Sequence, residues 1–207
     1  MSGRMRMLCL GDSYTIGEAV ATDQTWPMQL AQLLQQALAQ QVQVQIIAKT
    51  GWSTDELSAA IEQAQAAHEI RPPYELVSLA IGVNNQYRGR SVENYAVEFA
   101  HLLQRAVSYT AGEQTARVLV LSIPDWGQTP FAASDLRERA KISTEIDLFN
   151  AESRKQALAI GARFIDVTRL SRTSDPELVV ADGLHPSGKA YAQWAHAIFN
   201  QARAELV

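Results

Sequence analysis

The sequence predicts an α/β protein, a three-layer α/β/α sandwich in which five parallel strands lie between layers of helix. Three observations predict it. Short apolar runs alternate along the chain with longer segments of helical period, the mark of βαβ units. Two of the runs, Leu76 to Ile81 and Val118 to Ile123, are almost continuously apolar, as central strands covered on both faces must be. A third, Val42 to Ile47, alternates polar and apolar residues at first, so one of its faces meets water and it belongs at a sheet edge.

The five predicted strands are Met5 to Leu10, Val42 to Ile47, Leu76 to Ile81, Val118 to Ile123 and Arg163 to Val167. The helix after the first strand is entered near Thr25 to Pro27, and Leu30, Leu33, Leu34, Ala37 and Leu38 recur on one stripe. Ser53-Thr54-Asp55-Glu56 is a capping box that opens the next helix, whose apolar face is Leu57, Ala60, Ile61 and Ala64 and which ends before Pro72-Pro73. A third helix follows Ser91, turns Tyr95, Phe99, Leu102, Leu103 and Ala106 inward, and stops near Gly112. A polar-rich helical segment runs from Asp135 towards Ile160. The last helix follows Pro186 and buries Ala190, Tyr191, Trp194, Ala195, Ile198 and Phe199.

Composition narrows the function. The 207 residues carry 18 Lys and Arg against 22 Asp and Glu, a net charge of −4, so a nucleic-acid partner drawn by phosphate charge is not expected. One domain over 1–207 is expected, large enough to bury about 70% of its unfolded surface without disulfide or metal. Cys9, the one cysteine, lies in the apolar run Met7-Leu8-Cys9-Leu10 and reads as a buried, inert thiol. No apolar stretch approaches the roughly 18 residues that span a bilayer. The apolar run after Arg4 and Arg6 stops at Gly11-Asp12, short of the roughly 7 to 15 residues of a signal-peptide core, so a cytoplasmic location is expected.

In open α/β sheets ligands bind outside the carboxyl ends of the strands. Those ends carry Gly11-Asp12-Ser13-Tyr14, Gly51-Trp52-Ser53, Gly82-Val83-Asn84-Asn85, Pro124-Asp125-Trp126 and Asp182-Gly183-Leu184-His185-Pro186. A serine, a glycine, an asparagine and an Asp/His pair can therefore meet at one mouth, and together they are the parts of an acyl-transfer site.

These segments closely resemble the SGNH hydrolases, also called the GDSL family of esterases and lipases. The blocks occur in family order from residue 5 to residue 185: Gly11-Asp12-Ser13, Gly51, Gly82-Val83-Asn84 and Asp182-Gly183-Leu184-His185. The resemblance implies a flavodoxin-like five-stranded parallel sheet and a serine esterase with no cofactor and no metal. It implies Ser13 as nucleophile and an oxyanion hole of the Ser13 amide, the Gly51 amide and the Asn84 side chain. Two positions depart from the family pattern: Asn85 stands where Asp is common, and Tyr14 where Leu or Ile is common. Neither carries the chemistry.

His185 is the expected base, because His68, His101 and His196 fall within helical segments and His185 alone sits on a strand-end loop. Its spacing from Asp182 lets one turn hold both, with the carboxylate fixing the ring tautomer. Asp12 reads as a turn-holding carboxylate, Asp125 as a loop stabiliser, and Tyr14, Trp52, Tyr87 and Trp126 as a rim for the acyl group.

The expected reaction is hydrolysis of short to medium acyl esters or thioesters, with a small-molecule ester as partner. A carbohydrate O-deacetylase or lysophospholipase would use the same residues, and a non-catalytic or nucleotide-binding relative of the fold is the distant alternative. A receiver domain needs an acceptor Asp after strand three, where this chain has Gly82-Val83-Asn84. Phosphate-loop, dinucleotide and zinc-protease motifs are absent from the sequence. Oligomeric state is not encoded in these motifs.

Overall fold

A computed structural model describes residues 4–206. The strands are β1 (Met5–Gly11), β2 (Val42–Ala48), β3 (Leu76–Ala80), β4 (Val118–Leu121) and β5 (Arg163–Ile165). They form one sheet in the order β2-β1-β3-β4-β5, with every pairing parallel. The alternating strand therefore does lie at an edge, and the apolar ones lie in the middle. Between and around them come α1 (Ser13–Ile16), α2 (Trp26–Leu38), α3 (Thr54–Ala66), α4 (Val83–Tyr87), α5 (Val92–Ser108), α6 (Arg139–Ala159), α7 (Thr168–Ser171) and α8 (Gly188–Ala202).

The connection from β1 to β2 runs one way along the sheet, and those from β2 to β3, β3 to β4 and β4 to β5 run the other. Right-handed crossovers then put the helices on opposite faces. Accordingly α2 packs beside α8, while α5 packs beside α3 and α6. Leu8, Leu10, Val77, Leu79, Leu119 and Val120 are fully buried between these layers. The reversal of direction falls between β1 and β3, and a crevice opens at such a switch point.

Several boundaries differ from the expected ones, each for a local reason. The α2 stripe is narrower, since Ala37 is exposed and Leu33 and Leu38 are half-buried. In α5 the helix ends at Ser108, before Gly112. There Tyr74 takes over, its N–H donating to the Tyr109 carbonyl at 2.8 Å. The segment from Asp135 does not begin as α-helix; the Asp135 carboxylate accepts from the Arg137 N–H at 2.8 Å and also binds its guanidinium. That side-chain turn competes with helical bonding, so α6 starts at Arg139. Ladder bonding ends early in β5, at Ile165. Phe199 and Ala60 are half-buried rather than core. Cys9 is fully buried, and burial pushes its thiol up to about 12.

Candidate active site

The site is assembled from the loops at the carboxyl end of the sheet. At the end of β1 the chain must turn sharply beneath β3. A Cβ on Gly11 would stand 2.1 Å from Thr15 Oγ1 and 2.6 Å from the Ala80 carbonyl oxygen, so glycine alone permits this close approach. Asp12 caps the short helix α1, its Oδ1 accepting the Tyr14 N–H at 3.0 Å, which is the turn-holding role read from sequence. Burial pushes the Asp12 carboxyl up to about 7, against the lowering effect of that backbone bond. Ser13 is the first residue of α1 and is 5% exposed.

Gly51 follows β2 with φ +86°, a left-handed conformation that favours glycine. Asn84 is the second residue of α4, and its Nδ2 donates to the Trp52 carbonyl at 2.9 Å. An amide nitrogen carries two hydrogens, so this bond orients the side chain and leaves the second N–H for another acceptor. Asn85 is fully buried and ties the same two loops: its Oδ1 accepts the Thr54 N–H at 3.1 Å and its Nδ2 donates to Thr54 Oγ1 at 2.6 Å. Among the hydrogen bonds of the described residues, the Ser13 and Gly51 amides donate to no protein group.

On the last loop, the His185 ring and Asp182 meet with Nδ1 2.7 Å from Oδ2. Asp182 Oδ1 accepts the N–H groups of Leu184, at 2.7 Å, and His185, at 2.9 Å. Partial burial acts to raise the Asp182 carboxyl, but the His185 ring and these two amides outweigh it and hold the group below the usual carboxylate range. Because Nδ1 faces a carboxylate, the proton sits on Nδ1 and Nε2 is free to accept. The turn itself is braced, with the Val180 N–H on the His185 carbonyl at 2.9 Å and the Phe131 N–H on the Gly183 carbonyl at 2.9 Å.

Ser13, Gly51, Asn84 and His185 line one cleft of about 170 Å³. Asp182 stands behind His185, outside the lining. Tyr14, Tyr87 and Trp126 line the cleft as the sequence suggested, joined by Phe131 and Leu184, which sequence reasoning missed. Trp52 is not part of the lining; it is half-buried against the core and contributes only its carbonyl. Tyr14 packs against His185 with ring centroids 5.4 Å apart and planes tilted by 54°, and burial raises its phenol, so it is a neutral wall. Trp126 is fixed by its Nε1–H on Gln86 Oε1 at 2.8 Å, and Gln86 in turn donates to Glu145 at 2.7 Å. Arg137 lies across the outer faces of Tyr87 and Trp126, 5.4 and 5.1 Å from their centroids.

Asp125 has the loop role expected of it. It is fully buried, accepts the Gly127 N–H at 3.0 Å and pairs with Arg172 at 2.8 Å. A larger groove of about 270 Å³, between α6 and α7, contains no histidine. Among the described residues no group of three or more His, Cys, Asp and Glu side chains is placed to hold a metal ion. No helix among them is long and apolar enough to cross a membrane.

A doubly wound α/β/α sheet with this strand-end arrangement defines the class as that of the SGNH-type hydrolase folds. The chain belongs to the GDSL-like lipase/acylhydrolase family, whose profile matches residues 9–193. Solved structures of similar fold include the lipase Lip_vut3 from a goat rumen metagenome, with 17% identity, 97% of each chain covered and a TM-score of 0.75. The acetylxylan esterase Axe2 of Geobacillus stearothermophilus superposes with a TM-score of 0.72 at 16% identity, over 98% of this chain and 96% of that one. A G-D-S-L family lipolytic protein of Veillonella parvula DSM 2008 gives a TM-score of 0.71 at 17% identity, over 97% of both chains. No curated protein sequence matches the chain.

Proposed function

We propose that the protein hydrolyses carboxylic esters, thioesters included, of short to medium acyl chains through an acyl-enzyme on Ser13. The observation that carries this reading is the single cleft shared by Ser13, Gly51, Asn84 and a His185 ring held by Asp182. A serine hydroxyl is a weak nucleophile, so Ser13 transfers its proton to His185 Nε2 as Oγ attacks the carbonyl carbon. Asp182 keeps the tautomer and stabilises the imidazolium that forms. The tetrahedral oxyanion takes hydrogen bonds from the Ser13 and Gly51 amides and the second N–H of Asn84. Collapse expels the alcohol or thiol, which takes the proton from His185. Water then repeats the sequence on the acyl-enzyme and frees Ser13.

The wall formed by Tyr87, Trp126 and Phe131, with centroids 5.4 to 6.4 Å apart, supplies apolar surface for the acyl group. Supporting the reading further, the chain belongs to a lipase/acylhydrolase family. The test is initial-rate hydrolysis of p-nitrophenyl esters from acetyl to decanoyl, with chelator present. Ser13→Ala, matched for folding by circular dichroism, should lose at least about a thousandfold in kcat. Equal rates for the two proteins would remove Ser13 as nucleophile. An enzyme inert on all these esters but active on acetylated sugars would move the carbohydrate O-deacetylase reading to the front.

A further inference from the structure

Arg88 touches neither the cleft nor any reacting atom, yet it closes onto the loop that carries Gly51. It follows α4 directly, its N–H bonded to the Asn84 carbonyl at 3.0 Å. From there its guanidinium forks. Nη2 donates to the Gly51 carbonyl at 2.7 Å, while Nη1 donates to Glu56 Oε2 at 2.9 Å and Ser53 Oγ at 3.2 Å. Glu56 Oε2 is itself held by the Ser53 N–H at 2.9 Å, so the arginine is anchored to the first turn of α3.

Gly51 needs such an anchor. A Cβ built on it would meet nothing within 4 Å, so no packing fixes the residue where a side chain would stand. A glycine crosses between positive and negative φ with little penalty. The turn's own closure is the single bond from the Trp52 N–H to the Lys49 carbonyl, at 3.2 Å. The Thr50 hydroxyl ties the loop to Glu18, and the remaining holds come from α4 and the residue after it: Asn84 takes the Trp52 carbonyl and Arg88 takes the Gly51 carbonyl. Gripping the Gly51 carbonyl fixes the peptide plane after the α-carbon and with it the glycine's ψ. The amide on the other side of that carbon is the proposed oxyanion donor.

We propose that Arg88 is a positioning residue for the oxyanion hole, holding Gly51 in the left-handed conformation in which its amide serves the developing oxyanion. The inference rests on the serine-hydrolase reading. It places donor geometry under the control of an arginine outside the cleft, planar and forked so as to reach the loop carbonyl and the α3 cap together.

The test compares wild type, Ser13→Ala, Arg88→Met and Arg88→Lys on p-nitrophenyl butyrate, with active sites counted by titration with a p-nitrophenyl phosphonate. Arg88→Met should lose about 10- to 100-fold in kcat per titrated site, with KM within about threefold, because only the transition state uses the donor. Phosphonylation of Ser13 should slow by a similar factor, since its transition state draws on the same donors. Arg88→Lys, with a point charge in place of a fork, should fall between the two. A merely structural role would instead lower the melting temperature or the titrated fraction and leave kcat per site unchanged; that result overturns the inference, as does a loss confined to KM. Should Arg88→Met not fold, Arg88→Lys decides, and wild-type kcat in it overturns the inference. An inert wild type, or a Ser13→Ala that equals it, overturns the serine-hydrolase reading instead.

Discussion

Asp12 and Asp182 flank the candidate nucleophile and its base, yet their surroundings drive them in opposite directions. Burial pushes Asp12 up to about 7, whereas Asp182, after three hydrogen bonds offset its partial burial, titrates below its ordinary range. The consequences for stability have opposite sign. Folded Asp12 keeps a proton that the unfolded chain releases from its ordinary carboxylate pKa upward, so its contribution falls as pH rises from about 4 towards 7. Asp182 stabilises at pH above the ordinary range, and that contribution is lost on acidification. Asp12→Asn keeps an acceptor for the Tyr14 N–H and removes the ionisation. Its melting temperature should therefore gain on wild type as pH rises from 4 to 8; a gap that stays constant with pH would refute the assignment. Glycines separate by what their Cβ would meet. Gly51→Ala has open space and should cost only about 1 kcal/mol in backbone strain, with a fall in kcat. Gly82→Ala combines φ +130° with a Cβ 2.7 Å from the Tyr95 ring, so it should cost more, about 2 to 4 kcal/mol in urea denaturation. Equal losses in the two variants would contradict this ordering. That Ser13, Gly51, Asn84 and His185 meet at one cleft was legible because all four lie on strand-end loops, which converge at the carboxyl edge of the sheet. Arg88 was not, since an arginine after a five-residue helix looks like any solvated charge until the loop it grips is seen. Nor does sequence say which way a turn residue's ring points, which is why Trp52 was expected at a rim it does not line.

Elements were readable where burial imposes a period and unreadable where a side chain interrupts it. The interior positions of β3 and β4 follow from their apolar runs, and the edge position of β2 from its alternation. The start of α6 was lost because Asp135 and Arg137 bond to each other locally, and no hydrophobic period records that. Phe131 was missed for a related reason, lying in a single 3₁₀ segment with no repeat to mark its inner face. Between elements, the departure at residue 85 is the most informative. Asn85 both accepts from and donates to Thr54, joining the loop after β3 to the start of α3, and the Thr54 hydroxyl already donates to Glu98. An aspartate there would offer no N–H to Thr54 Oγ1 and would add a buried carboxylate beside Glu98. Asn85→Asp should thus destabilise the protein by about 1 to 3 kcal/mol, and more at pH 8 than at pH 5, as its carboxyl ionises. Urea midpoints at the two pH values measure this, and an unchanged midpoint at both would show that the amide is not needed as a donor.

At the scale of the whole molecule, one cluster of buried side chains runs from Met5 in β1 to Ala202 in α8 and takes in every strand except the edge strand β2, which packs against it. The candidate site draws Ser13 from the end of β1, Gly51 from the end of β2, Asn84 from the end of β3 and Trp126 from beyond β4, with His185 just before α8. No loop of that site belongs to a separable piece of core. We therefore propose that the chain unfolds as a single unit, although at 207 residues it exceeds the size at which two-state behaviour is the rule. The tryptophans allow a sharp test. Trp26 is fully buried in α2, in the layer shared with α8, and Trp126 lies in the cleft wall between α4 and α6. In urea, far-ultraviolet circular dichroism and the fluorescence of a variant carrying Trp52→Phe, Trp126→Phe and Trp194→Phe (Trp26 remaining) and of one carrying Trp26→Phe, Trp52→Phe and Trp194→Phe (Trp126 remaining) should share one midpoint within each protein, and ester hydrolysis should be lost at it. If the Trp126 signal and activity vanish at lower urea than the backbone signal, the cleft is a less stable layer on a persistent sheet. The loops that carry the site would then be held by polar ties such as those of Arg88, Asn84 and Asn85, and not by the core beneath them.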